Sequence, residues 1–587
     1  MYTKIKKIHY STFLILMPLW TLIGGCDESF LNKEPLGVTS FENLNSQQGV
    51  DALLIGAYSL TGGAGSLSGW PGYAYPASVR DWVWDMASDD AYKGSTQGDF
   101  NETVERYEAL PTEIMLEHRW FVMYDGVSRS NDVLRALNGA RENMGTETAL
   151  AIEAQAKWLR AWFHFRLQKM HFQIPYITED IDQPELVPND HAVWNEIEQD
   201  LQFAIDNLPA SFPGEPGRAT RWAALAVKAY VHLFQHEYSE AKPLLDEIID
   251  SGEFDLVDNF YDNHYELTEH NLESIWEVEA AVNDGTGNGI NGNPDSWTTN
   301  PYNRFMPTCC GMYQPSQDLV NAFKVDESGL PLLGINGPKY NDENLKNDMG
   351  IASSQEFAPT EDPVDPRLDW TVGRRGIPYL DWGIHTGNEW IRSQINGGPY
   401  NTKKQMYYQG NADIASHAAF ARATSINFRK YRFAHILLWR AEVAVEENDL
   451  ETARELINRI RRRAANQMVM GKVTTTVFDE SEIEVDWTQP AANYLVEEYP
   501  VFPNQEFARV AVIMETRLET ALEGNRFFDL VRWGMDQEVL SEFIINDQQI
   551  RSKMQGASYN SALNSRWPIP QSQIDLQPGV LMQDPAW

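Results

Sequence analysis

Cysteine is nearly absent. Only Cys26, Cys309 and Cys310 occur in 587 residues, which excludes a disulfide framework for a chain of this length. No Cys or His partners stand at ligand spacing around them, so a zinc site is not expected. Cys309 and Cys310 leave two readings open, a vicinal disulfide or a pair of thiols. Positive charge is scarce as well: 47 Lys+Arg face 84 Asp+Glu, a net charge of −37. That field repels polyanions, and nucleic acid is not expected as a partner. Long apolar runs are missing after the first 25 residues, so no later segment is expected to span a bilayer. The HExxH and GxSxG motifs of zinc proteases and serine hydrolases do not occur. Gly285-Thr-Gly-Asn-Gly289 lacks the preceding strand and following helix of a phosphate loop.

What is present begins with the N-terminus. Lys4, Lys6 and Lys7 precede a mostly apolar run over residues 13–23, followed by Ile23-Gly24-Gly25-Cys26. The run has the length of a secretory signal core and is too short to cross a membrane. The four residues that end it resemble a bacterial lipobox, so residues 1–25 are expected to be removed and Cys26 to carry lipid. Residues 26–48 are polar and read as a tether. The body is 43% hydrophobic and 22% charged, which excludes global disorder.

Apolar spacing predicts helices over residues 50–60, 114–137, 150–171 and 193–208. Two later segments repeat one another. Leu225, Ala229, His232, Tyr238, Ala241, Leu245 and Ile248 align with Leu437, Ala441, Ala444, Leu450, Ala453, Ile457 and Ile460. Small residues midway along the first helix and early in the second are the packing signature of a tetratricopeptide hairpin. Residues 251–430, between the copies, are rich in Gly, Pro, Asn, Asp and aromatics, with a short strand expected at 274–278. The expected class is mainly α: a tetratricopeptide-like scaffold of about four helix pairs with a long irregular ligand-binding region. Its parts are an N-terminal helical portion at 49–250, carrying an early loop at 61–100, the insertion at 251–430, and a late hairpin with C-terminal segment at 431–587.

Several motifs stand in a specific order. They are Trp158-Leu-Arg-Ala-Trp-Phe-His-Phe-Arg166, Asp365-Pro-Arg-Leu368, Tyr431-Arg-Phe-Ala-His-Ile-Leu-Leu438, Glu523-Gly-Asn-Arg-Phe-Phe-Asp-Leu-Val-Arg-Trp-Gly534 and Pro568-Ile-Pro570. With the lipobox and the acidic Asp27-Glu28 after it, they resemble the SusD/RagB family of nutrient-binding outer-membrane lipoproteins. The resemblance covers nearly the whole chain. It implies an oligosaccharide or, in some members, a peptide as ligand, and a SusC-like TonB-dependent transporter as partner. It also implies a lipid anchor in the outer membrane facing the cell exterior, and no catalysis. The Glu523–Gly534 segment reads as a fold determinant, its charged and aromatic residues locking a C-terminal helix.

A sugar presents an apolar C–H face and a hydroxyl rim, so aromatic rings framed by Asp, Asn or Arg suit it. Two stretches outside periodic helix supply them. The first holds Trp70, Tyr73, Tyr75 and Asp89; the second holds Trp297, Tyr302 and Arg304. Trp382 and Trp390 are held in reserve, while Trp82 and Trp84 are read as packing residues. Arg459 and Arg461–Arg463 end a predicted helix, where cations meet its negative pole. Asp284, Thr286, Asn288, Gly289 and Asp295 mimic a calcium loop, but the bidentate Glu is missing and no cofactor is expected. Peptide capture, a surface glycoside hydrolase and a repeat-based adaptor are the competing functions. A hydrolase would show two carboxylates opposed across an aromatic cleft, one with a raised pKa.

Overall fold

The computed structural model describes residues 44–62, 82–98, 101–285, 289, 291–293, 296–302, 309–335, 337–404, 406–418, 420–478 and 482–587. The lipobox and Cys26 lie outside them. Helix α1 spans Gln47–Tyr58 and starts where the Ser46 hydroxyl accepts a hydrogen bond from the Gly49 amide. The next helices are α2, Ile114–Ala140; α3, Thr146–Gln168; α4, Trp194–Asn207; α5, Arg221–Phe234; and α6, Tyr238–Asp250. After the insertion come α7, Phe433–Glu446, and α8, Leu450–Ala464. Then follow α9, Gln505–Thr520; α10, Arg526–Arg532; and α11, Asp536–Asp547.

Successive helices pack as antiparallel neighbours, α2 on α3, α3 on α4 and α4 on α5. The repeat seen in the sequence is α5–α6 and α7–α8. Ala229 and Ala241 in one, and Ala441 and Ala453 in the other, are fully buried, where a larger side chain would separate the paired helices. The two hairpins also pack on each other. Tyr230 stacks on Trp439 with ring centres 4.5 Å apart and planes 12° from parallel. The helical array is therefore continuous in space, and the residues between the copies leave it and return. Gly126 of α2 lets α3 approach, since a Cβ there would lie 2.4 Å from the Phe163 ring.

The described strands pair two by two, all antiparallel. Three pairs matter below: β1 (Ala91–Gly94) with β3 (Met312–Pro315), β2 (Ser274–Val278) with β4 (Phe428–Arg432), and β5 (Met470–Val473) with β6 (Val485–Pro490). The expected strand at 274–278 has the expected bounds. Its partner β4 runs directly into α7, which fastens the insertion to the scaffold.

The sequence motifs meet in one buried ion-pair network. Arg432 bonds Glu273 at 2.7 Å, Glu519 at 2.6 Å and Glu523 at 3.0 Å. Arg367 reaches Asp365, Glu515 and Glu519, and Arg461 reaches Glu515 at 2.9 Å. Burial pushes the Glu519 carboxyl up, but Arg463, Arg432 and Arg367 outweigh it and hold it well below the ordinary range. Arg461 and Arg463 thus do more than face a helix end: they ion-pair inside the protein. Arg462 and Arg459 stay at the surface with Glu498 and Asp255.

Candidate ligand-binding site

A cavity of about 530 Å³ opens between the C-terminal end of α1, residues 215–218 and strand β2. Ile55, Trp276, Val278 and Phe428 supply apolar wall, while Arg218, Glu279 and Asn293 supply hydrogen-bonding groups. Its floor is set by the core. Trp276 is 3% exposed, its ring edge-on to Trp158 at 4.8 Å and to Trp162 at 5.5 Å. Its indole N–H donates to the Gly217 carbonyl at 3.2 Å, which ties strand β2 to the α4–α5 connection.

The two aromatic stretches start from this cavity. Thr61 and Gly62, which precede residues 63–81, and Asn291–Asn293, which precede residues 294–304, all line it. The stretches also end together. Strand β1, after the first, pairs with β3, after the second, with Ala91 opposite Pro315 and Gly94 opposite Met312. Arg392 clamps that end, donating to the Ser95 hydroxyl at 2.9 Å and to the Cys310 carbonyl at 3.3 Å. Two segments 200 residues apart in sequence thus share both roots.

Trp70, Tyr73, Tyr75 and Arg304 lie outside the described residues, as does the side chain of Trp297. Tyr302 is 47% exposed; its amide donates to the Trp390 carbonyl at 2.8 Å, and the Arg392 guanidinium lies 5.5 Å from its ring centre. Asp89 requires correction. It is fully buried and forms a two-pronged pair with Arg526, both bonds 2.9 Å, and a third with Arg517 at 3.0 Å. Burial raises its pKa, yet the two guanidinium groups bring it down to about 2. Its carboxylate holds the first loop's root to the Glu523–Gly534 motif and presents no face to a ligand.

Trp84 is buried against Trp567, ring centres 4.9 Å apart, as its packing assignment anticipates. Trp390 is 3% exposed and Trp382 half-buried with its N–H on the Tyr407 carbonyl, so both reserve residues are packing groups here. Cys309 and Cys310 are joined as a vicinal disulfide. Asp284 accepts a hydrogen bond from Asn291; Thr286, Asn288 and Asp295 of the calcium-like pattern are outside the described residues.

A polar cluster that the sequence did not single out borders the cavity. His270 bonds Glu279 at 3.1 Å, and Asn427 donates to Glu277 at 3.0 Å. Arg429 pairs with Glu277 at 2.8 Å. Burial, then the charges of Glu277 and Glu279, push the Glu269 carboxyl up to about 7. Because the folded form holds this proton more tightly than the unfolded chain, the associated stability is present below the ordinary glutamate pKa and is lost as pH rises toward 7. Glu269→Gln keeps the acceptor for the Asn427 amide and removes the charge. Its melting temperature is expected to match wild type at pH 4 and exceed it at pH 8. A constant gap across that range in scanning calorimetry would contradict the assignment.

Comparison with known proteins fits this architecture. The SusD family model matches residues 272–587, and a model described as starch-binding associating with outer membrane matches residues 29–233. The chain belongs to the SusD family. A SusD-like protein, P25, from Formosa agariphila is 23% identical over 99% of this chain and 98% of its own. Among solved structures, a SusD superfamily protein from Bacteroides vulgatus superposes with a TM-score of 0.66 at 18% identity, covering 93% of this chain and all of the other. A surface glycan-binding protein A from Bacteroides thetaiotaomicron, in complex with laminarihexaose, gives 0.64 at 20% identity, covering 92% of this chain and all of the other. A laminarin-binding SusD-like protein gives 0.64 at 22% identity, with the same coverage. No described helix is long and apolar enough to cross a membrane.

Proposed function

We propose that this protein is a cell-surface glycan-binding lipoprotein, anchored to the outer membrane through Cys26. It captures oligosaccharide and passes it to a SusC-like TonB-dependent transporter without cleaving it. The observation that carries the reading is the shared rooting of the two aromatic stretches: both start at one half-apolar cavity and both end at the β1–β3 pair. Trp70, Tyr73, Tyr75, Trp297, Tyr302 and Arg304 are the proposed contacts. Relatives whose names state glycan or laminarin binding share the fold and lend support.

Capture without chemistry is supported by the carboxylates. Glu277 and Glu279 sit two residues apart on one wall, and Glu277 is ion-paired to Arg429. Glu269, whose pKa is raised, is not among the described residues lining the cavity. A glycosidase needs two carboxyl groups opposed across the scissile bond.

The test is calorimetry of the soluble protein without residues 1–26 against a panel of oligosaccharides and peptides, with product analysis of each mixture. Saturable binding of an intact sugar is expected, and Trp70→Ala/Trp297→Ala should weaken it at least tenfold, since stacked rings dominate such contacts. Cleaved sugar, or binding of peptides alone, would overturn the reading.

A further inference from the structure

Trp487 stands apart from every other tryptophan of the described residues. It is 59% exposed, and each of the others is buried or half-buried. Its position is built rather than incidental. In the β5–β6 ladder Asp486 is opposite Lys472 and Pro490 is opposite Met470. Three residues, 487–489, therefore face the single Gly471. Such a bulge re-aims the side chains it carries. The Asp486 carboxylate fixes it by accepting from the Thr488 amide at 2.9 Å and the Thr488 hydroxyl at 2.6 Å.

The ring is supported from beneath. Gly471 has φ +119°, a conformation suited to glycine. A Cβ at this position would lie 2.7 Å from Cζ3 of Trp487 and 2.9 Å from Cγ of Pro378. The indole thus rests on a bare stretch of backbone beside a proline, leaving the rest of its surface to solvent. The apolar neighbours Val473 and Val485 are taken up in a small cluster with Phe478. Charged and hydroxyl groups flank the ring along the hairpin: Glu484, Asp486, Thr488 and Lys472.

This arrangement selects among occupants. A protein interface needs a contiguous buried patch of several hundred Å² per partner, and one ring with a polar border does not provide it. A flat apolar face with hydrogen-bonding groups at its edge fits one sugar ring, with the C–H face stacked on the indole. We propose that Trp487, held on Gly471 by the β6 bulge, is a second carbohydrate contact that engages a pyranose unit of a polymeric glycan. It shares no residue with the cavity. The proposal rests on the glycan reading above, and its role is to add a second point of attachment for chains long enough to reach both.

The experiment compares wild type, Trp487→Ala and Trp487→Phe on pairs of a hexasaccharide and its parent polymer: laminarihexaose with laminarin, and maltohexaose with soluble starch. Hexasaccharide affinity is read by calorimetry and polymer affinity by affinity electrophoresis. For whichever pair binds, Trp487→Ala should weaken polymer binding about tenfold and leave the hexasaccharide within twofold, and Trp487→Phe should restore most of the loss. Unchanged polymer affinity in Trp487→Ala would overturn the second contact while leaving the glycan reading intact. An equal loss on hexasaccharide and polymer would also overturn it, since the ring would then belong to the first site. No binding of any probe by wild type would remove this contact for laminarin and starch together with those two glycans as ligands of the first site.

Discussion

Arg432→Ala is expected to lower the stability of the protein by at least about 3–5 kcal/mol, the usual cost of stripping one partner from a buried ion pair. Arg432 is fully buried and serves three carboxylates at once, Glu273, Glu519 and Glu523. Without it, Glu523 retains Lys404 at 2.8 Å, and Glu519 retains Arg367 and Arg463. The network would thus survive in part but carry uncompensated negative charge in a medium that solvates it poorly. Whole-protein stabilities of about 5–15 kcal/mol leave little margin for such a loss. Urea unfolding followed by tryptophan fluorescence reads the effect. Arg462→Ala is the control: that side chain is 48% exposed, and its pair with Glu498 is worth about 1 kcal/mol or less. Equal midpoints for the two variants would show that the network does not hold the fold.

Trp276→Ala should cost about 3–5 kcal/mol as well, the range for truncating a buried large aromatic side chain. The reason is different. Trp276 is packing: it meets Trp158 and Trp162 edge-on and stacks on Tyr431 at 6.3 Å. It also bounds the candidate cavity and bonds Gly217 on the facing wall. The variant therefore loses core contacts and enlarges the cavity in one step. Two readouts separate these effects: a lower melting temperature, and a weaker affinity for the bound oligosaccharide measured well below that melting temperature. Trp276→Phe should recover most of the stability but not the hydrogen bond to Gly217. An unaltered affinity in a folded Trp276→Ala would dissociate the cavity from the ligand site.

The helical scaffold was legible because its signals are local and periodic. The 212-residue repeat gave both hairpins, and spacing alone placed α2 within a few residues. What spacing cannot give is which distant segments meet. Nothing in the sequence indicates that Tyr230 stacks on Trp439, or that β1 finds β3. Asp89 shows the same limit from the other side. Beside aromatic residues it reads as a ligand group, yet Arg517 and Arg526, more than 400 residues away, claim it. Trp487 was missed because an exposed and a buried tryptophan look alike in a sequence. The sign that could have raised it is a glycine opposite a short polar-flanked strand, and that becomes visible only once the β5–β6 register is known.

The shared roots of the two aromatic stretches bear on how such a protein diversifies. Each stretch departs from the scaffold and rejoins it at points fixed by buried contacts elsewhere: the Trp276 floor at one end, and the β1–β3 pair with Asp89 at the other. Loop-closure entropy rises only slowly with length, roughly 0.6 kcal/mol for each doubling. Residues between those points can be lengthened, shortened or exchanged at small thermodynamic cost while the ion network and helix pairs stay as they are. Substrate range and foldability are thus written in separable parts of the chain. A lineage can change its diet by rewriting two short stretches, without renegotiating the other five hundred residues.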